Sequence, residues 1–229
     1  MPSSRTLYRF RPSTKNQGSL GTCSAACTVS MYEFLMARLG RRHWRGSMLY
    51  QYYNTRLLMG TVDVDSGGFL RSAMKAMAKY GVCREELWQY DTNRFRDEPS
   101  SEAYEDGKRF QALTYYRLQT GNLEEMKACI AESYPFVFGF STFESFQSPE
   151  VAKTGRIPMP KADEAFCNGH AVLGIGYDDR SRNFLILNSY GDGWGAPAFP
   201  GFFTIPYDYI GNPDLADDFW TLRDIEKGD

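Results

Sequence analysis

From Thr22 to Gly40 the residues Ala25, Thr28, Val29, Tyr32, Leu35, Met36 and Leu39 recur at three- and four-residue spacing. That period predicts a helix with one buried stripe, and Gly40 is its stop. Phe69 to Tyr80 repeats the pattern, with Leu70, Ala73, Met74, Met77 and Tyr80 on one side and Gly81 after them. The methionines in that stripe read as core filling. Ser47 to Leu58, rich in Tyr, predicts another helix. Asn122-Leu123-Glu124-Glu125 is a capping signature that opens a short helix running to Ser133. Thr61 to Gly68 is a polar loop, and the charged stretch Asp91 to Gly107 reads as a solvated linker or lobe-bridging loop. After Pro135 the period changes. Phe136 to Phe140, Ala171 to Tyr177, Asn183 to Leu187 and Phe202 to Ile205 are short apolar runs, each a strand candidate. The second and third are joined by the polar turn Asp178 to Arg182, so they form a hairpin, and Pro206 ends the fourth. Ser141 to Cys167 is long and irregular, and loops of that length are usually functional or mobile. The expected class is α+β, helical first and β-rich second.

Composition narrows the function classes. The chain has 229 residues, room for one large domain or two small lobes with a real core. An apolar fraction of 42% and a charged fraction of 24% fit an ordinary globular protein. A net charge of −2 gives no pull toward nucleic acid or an anionic membrane. No apolar run is long enough to span a bilayer. Met1 to Arg11 carries arginines and no apolar core segment, so no signal peptide is expected. The five cysteines, Cys23, Cys27, Cys83, Cys129 and Cys167, are an odd number without paired close spacing. They read as thiols in a reducing compartment, and the expected location is the cytoplasm, with export by a non-classical route left open. Without a CxxC or a His-rich cluster, no zinc site is expected. A Gly-rich phosphate loop and internal repeats are also missing from the sequence.

Three positions carry candidate chemistry. Gln17 to Gly21 is a polar loop with two glycines, and the predicted helix starts directly after it. Cys23 therefore falls in the first turn, where open N–H groups and the positive end of the helix dipole favour thiolate. A cysteine is more often a buried structural residue, but this placement makes Cys23 a nucleophile candidate. His170 follows Cys167-Asn168-Gly169 at the start of a predicted strand, and Asn188 stands at the end of the next. In a hairpin those two ends are neighbours. The Asn oxygen can then accept from one ring nitrogen and set the tautomer, leaving the other nitrogen for a cysteine. The second histidine, His43, follows Arg41-Arg42 and reads as a surface residue.

Gln17-Gly18-Ser19-Leu20-Gly21-Thr22-Cys23, Gly169-His170-Ala171-Val172 and Asn188-Ser189-Tyr190-Gly191-Asp192-Gly193-Trp194-Gly195 together resemble the papain-like cysteine peptidases. The order Gln, Cys, His, Asn matches, and the interval from Cys23 to His170 lies within the roughly 130–150 residues usual for that family. Asp65-Ser66-Gly67-Gly68 resembles the family's glycine pair in the substrate cleft, and Gly201 to Pro206 resembles its closing strand. The departures are specific. Ser24 follows the nucleophile where an aromatic residue is usual. Leu20 stands where many secreted members have a disulfide cysteine. Tyr190 replaces the common Trp beside the asparagine, and Gly169 occupies a position that is often Asp. Only 22 residues precede Cys23, so no inhibitory pro-segment is expected.

The resemblance implies one peptidase domain over 1–229. A helical lobe at about 12–108 would carry Cys23, and a β-barrel-like lobe at about 109–229 would carry His170 and Asn188, with the active-site cleft between them. It implies a Cys23 thiolate paired with a His170 imidazolium, Asn188 orienting the ring, and Gln17 with the Cys23 N–H donating to the oxyanion. Gly67 and Gly68 would pair with an extended substrate. Gly169, Tyr190 and Trp194 are further candidates for substrate binding, with Tyr190 also shielding the Asn–His bond. Tyr190 would do so by keeping water from it. The expected partner is a peptide or protein substrate. No cofactor, nucleic acid or membrane is implied, and the oligomeric state stays open. Hydrolysis competes with deamidation, transpeptidation or ligation on the same triad, and with a peptidase-fold binding module. Retention of Gln17, Cys23, His170 and Asn188 together speaks against the last.

Overall fold

A computed structural model describes residues 1–41 and 44–226. The chain forms two compact units. The helical unit comprises Phe10–Ser13, Gln17–Tyr116 and the segment from Leu222 onward; the β unit comprises Met1–Arg9, Thr14–Asn16 and Arg117–Thr221. His43, expected at the surface, lies outside the described residues.

The helical unit opens with α1 (Cys23–Arg38), α2 (Met48–Met59) and α3 (Leu70–Tyr80). The Ser47 hydroxyl caps α2 by accepting from Tyr50 N, and Gly60 closes it in the left-handed region. α1 departs from the expected single stripe. Every residue from Ser24 to Met36 is buried, polar ones included. α2 and α3 both pack on it, and small residues such as Ala25, Ala26, Thr28 and Ser30 let neighbours approach from several sides. The Thr28 hydroxyl is satisfied within the helix, donating to Ser24 O at 2.7 Å, and the Tyr32 hydroxyl donates outside it to Glu226 O. The stretch read as a solvated linker is instead folded. It holds a short helix, α4 (Ser101–Gly107), capped by Ser100. Ala103 joins a core with Leu20, Leu49, Tyr50, Cys83 and Trp88. Asp106 is buried and takes three hydrogen bonds from the Arg84 guanidinium, two of them from Nε, and one from Arg84 N. Charges at every third or fourth position masked a helix whose inner face is short. The strand β2 (Ala112–Arg117) follows, unmarked by any alternation in the sequence, and lies beside the C-terminal strand.

The β unit begins with β1 (Ser4–Thr6) and continues through α5 (Leu123–Ala131), β3 (Phe136–Phe143), α6 (Pro149–Thr154), β4 (Phe166–Asp178), β5 (Asn183–Leu187), β6 (Phe202–Pro206), α7 (Tyr207–Ile210) and β7 (Ala216–Ile225), whose residues from Leu222 on belong to the helical unit. The sheet is antiparallel, in the order β7-β3-β4-β5-β6, with β1 added to β4. The expected hairpin is β4–β5, with Asp178 opposite Asn183 and Leu173 opposite Leu187. Two boundaries differ from expectation. β3 and β4 both extend, pairing Ser141 with Gly169 and Phe143 with Phe166, so His170 sits inside its strand and not at its start. Ser141 to Cys167 is therefore an ordered excursion: strand, helical turn, α6, then strand. The core of the sheet is aromatic, with Phe138 stacked on Phe219 at 5.2 Å. Gly174 faces the Phe136 ring, and a Cβ there would stand 2.8 Å from it. Among the described residues no helix is long and apolar enough to cross a membrane.

Candidate active site

In the helical unit the loop before α1 is tied at several points. Leu20 drops into the apolar core beside Leu49 and Trp88. Gln17 Nε2 donates one hydrogen to Leu20 O at 2.9 Å, and Thr22 N donates to the same carbonyl at 2.8 Å. The Tyr90 hydroxyl donates to Gln17 O at 2.6 Å and accepts from Thr22 Oγ1 at 2.9 Å, so one side chain staples both ends of the loop. With its hydroxyl engaged there, Thr22 makes no side-chain cap on α1. Cys23, the first residue of α1, is half-buried.

Gly67 and Gly68 approach from the loop after α2. Gly67 has φ +69°, which favours glycine. Gly68 has no room for a side chain, since a Cβ would stand 2.8 Å from both Ser24 Oγ and Thr55 Cγ2. Asp65 accepts from Gly21 N at 3.0 Å and from the Tyr52 hydroxyl, which in turn accepts from Gly67 N at 3.1 Å. In the sequence Asp65 stands only as a neighbour of the glycine pair, and neither Tyr52 nor Tyr90 is singled out. Their partners lie far along the chain, and no local spacing links them.

The β unit holds the other candidates. His170 Nε2 lies 2.8 Å from Asn188 Oδ1. That atom also accepts from Ser189 N at 2.9 Å, and a backbone N–H can only donate, so the Asn atom is the oxygen. Nε2 therefore carries the hydrogen, and Nδ1 is the nitrogen left to take or give a proton. The strand register explains the meeting: β4 and β5 pair up to Leu173–Leu187, and Asn188 N is held by Gly201 O at 2.9 Å. Both side chains are buried. Burial pushes His170 down from its ordinary 6.5 to about 4, opposed by the Asn188 bond.

Aromatic rings supply the burial. Tyr190 stacks on the imidazole at 5.0 Å, while Phe140 and Phe146 stand at 5.8 and 5.9 Å. Trp194 meets Tyr190 edge-on at 5.7 Å and also packs on Phe146 and Phe203. The Tyr190 backbone bridges to Asn16, and Gly191 N donates to Lys15 O. Gly169 is exposed, with open space around the position of a Cβ. Phe140 could have been found, since it alternates inward on β3 directly across from His170. Phe146 lay in the segment read as irregular.

The sequence matches the model of the papain family of cysteine proteases over residues 8–216. The chain belongs to the papain family. It is 38% identical over 218 residues to a peptidase C1-like protein of Acanthamoeba polyphaga mimivirus, covering 92% of this chain and 69% of that relative. Its fold matches the crystal structure of xylellain, a cysteine protease from Xylella fastidiosa, with a TM-score of 0.89 and 34% identity over 97% of this chain and 86% of that one. A digestive procathepsin L from the larval midgut of Tenebrio molitor, at 18% identity and a TM-score of 0.75, shares the fold over 97% of this chain and 70% of its own. This papain-family chain is thus a cysteine peptidase, a hydrolase of the α+β papain-like fold. Peptides and proteins are the family's substrates.

Proposed function

We propose that the peptidase hydrolyses peptide bonds through Cys23, His170 and Asn188. The Cys23 thiolate attacks the carbonyl carbon, and a thioester forms as the amine leaves with a proton from His170 Nδ1. Water, giving a proton to Nδ1, then hydrolyses the thioester and restores the Cys23 thiolate with the ring protonated. The negative oxygen of each tetrahedral intermediate takes hydrogen bonds from the Cys23 N–H and the Gln17 amide. Gly67 and Gly68 offer backbone to an extended substrate. The observation that carries this reading is the doubly determined Asn188 oxygen, which fixes the His170 tautomer with Nδ1 open to chemistry. Tyr190, Phe140 and Phe146 keep water from that bond.

The other thiols support the choice of nucleophile. Cys27 Sγ donates to Ser24 O, Cys129 Sγ lies 3.2 Å from Thr221 Oγ1, and burial pushes the Cys83 thiol up. Cys167 is exposed and supplies a solvent-accessible thiol for comparison. Thiols throughout suit work in a reducing compartment such as the cytoplasm. The test is iodoacetamide labelling at pH 6 with peptide mapping, followed by a peptide-library digest. Cys23 should label at least about tenfold faster than Cys167, and its labelling should abolish hydrolysis. Equal labelling would overturn the assignment; deamidated or ligated products without cleavage would overturn hydrolysis.

A further inference from the structure

Asp65 lies at the surface, yet its carboxylate is engaged on two sides. One side faces the loop before Cys23: Gly21 N donates to Oδ1 at 3.0 Å and to Oδ2 at 3.2 Å. The other side takes the Tyr52 hydroxyl, whose oxygen accepts from Gly67 N at 3.1 Å. A single carboxylate thus reaches the backbone two residues before Cys23 and, through one hydroxyl, the backbone of the glycine pair. The approach is close. A Cβ at Gly21 would stand 3.2 Å from Asp65 Oδ1, Gly67 Cα and Gly67 N.

The loop behind Asp65 has an independent support. Arg56 is fully buried and donates to Val62 O at 2.6 Å, to Val64 O at 3.0 Å and to Phe95 O. Its guanidinium lies over the Tyr52 ring at 4.0 Å. Arg56 shapes the loop from beneath, and the bonds of Asp65 reach beyond the loop to the segment that carries the nucleophile. A loop needing only its own stability would not require the second set.

We propose that Asp65 is a positioning residue that holds the Gly21–Cys23 turn and the Gly67–Gly68 backbone in one register, so that nucleophile and substrate backbone are aligned together. This rests on the reading of Cys23 as nucleophile and Gly67 as a substrate contact. The two arms are separable. Asp65→Ala cuts both. Tyr52→Phe cuts the Gly67 arm and leaves the Gly21 bond. Asp65→Asn keeps an oxygen for both donors.

Two readouts follow the arms: the rate of Cys23 alkylation by iodoacetamide, which makes no use of the glycine pair, and kcat and KM on a peptide substrate. The wild-type protein is measured first. If Cys23 is not its fast thiol, the underlying reading fails and the proposal with it. If it is, Asp65→Ala should slow alkylation about tenfold or more, because small misplacements of a reacting group cost one to two orders of magnitude. Asp65→Asn should recover most of that rate. Tyr52→Phe should alkylate within about twofold of wild type and raise KM several-fold. Wild-type alkylation in Asp65→Ala, failure of Asp65→Asn to recover, or an unchanged KM in Tyr52→Phe would each overturn the proposal. Circular dichroism checks each fold, and if Asp65→Ala does not fold, the other two variants decide the matter.

Discussion

Burial of His170 has a measurable consequence. The Cys23→Ala variant removes the thiolate proposed as the ring's partner. Burial then sets the titration, at about 4 against an ordinary 6.5, with the Asn188 bond opposing it. At about 1.4 kcal/mol for each tenfold change in proton affinity, charging the buried ring costs about 3 kcal/mol more than charging it in the unfolded chain. The sign follows from linkage. Between pH 6.5 and about 4 the unfolded chain binds a proton that the folded chain refuses, so folding stability falls as pH falls through that window. At neutral pH the contribution is fully present. Histidine ring NMR on Cys23→Ala gives the titration directly; the chain's other histidine, His43, supplies the second signal. Urea unfolding from pH 7 to pH 4, compared with the Cys23→Ala/His170→Gln double variant, gives the stability term. Under the proposed pairing with a Cys23 thiolate the wild-type midpoint should lie higher, since an opposite charge favours the imidazolium. A midpoint of 6.5 or above in Cys23→Ala would refute the argument from burial. An equal midpoint in both proteins would refute the ion pair.

Asn188→Ala should lower kcat about 10- to 30-fold with little change in KM, since the carboxamide holds the ring and leaves ground-state binding alone; steady-state kinetics checks this, and a rise in KM alone would reassign Asn188 to substrate binding. Gly68→Ala should destabilise by about 1–3 kcal/mol through contact with Ser24 and Thr55, whereas Gly169→Ala should stay within about 0.5 kcal/mol, and a pair of denaturant titrations separates the two. Asp106→Ala should cost about 2–3 kcal/mol, less than a fully buried ion pair because Arg84 keeps access to water, and thermal unfolding measures it.

Several features of this protein were fixed locally and could be read from residue order. The limits of α1 and α3 follow from apolar spacing with Gly40 and Gly81 behind them, because helix period and a glycine stop are properties of neighbouring residues, and the Tyr-rich run Ser47 to Leu58 located α2. The β4–β5 hairpin followed from two apolar runs and a polar turn, and it already implied that His170 and Asn188 meet. Tertiary structure decided the rest. β1, with the exposed residues Ser4–Thr6, is a strand only because β4 offers its backbone. β7 hides behind Asp217 and Asp218, the latter at φ +55° with its carboxylate on Trp220 Nε1, so its alternation is broken where it bends. The Asp91–Gly107 charges looked like a solvated linker until Arg84 supplied a partner for Asp106. Around the candidate site, Tyr90 on Gln17, Asp65 on Gly21 and Phe146 on His170 join segments that spacing cannot connect. A hydrogen bond or ring contact between distant residues depends on where the fold carries both, and local periodicity holds no record of that.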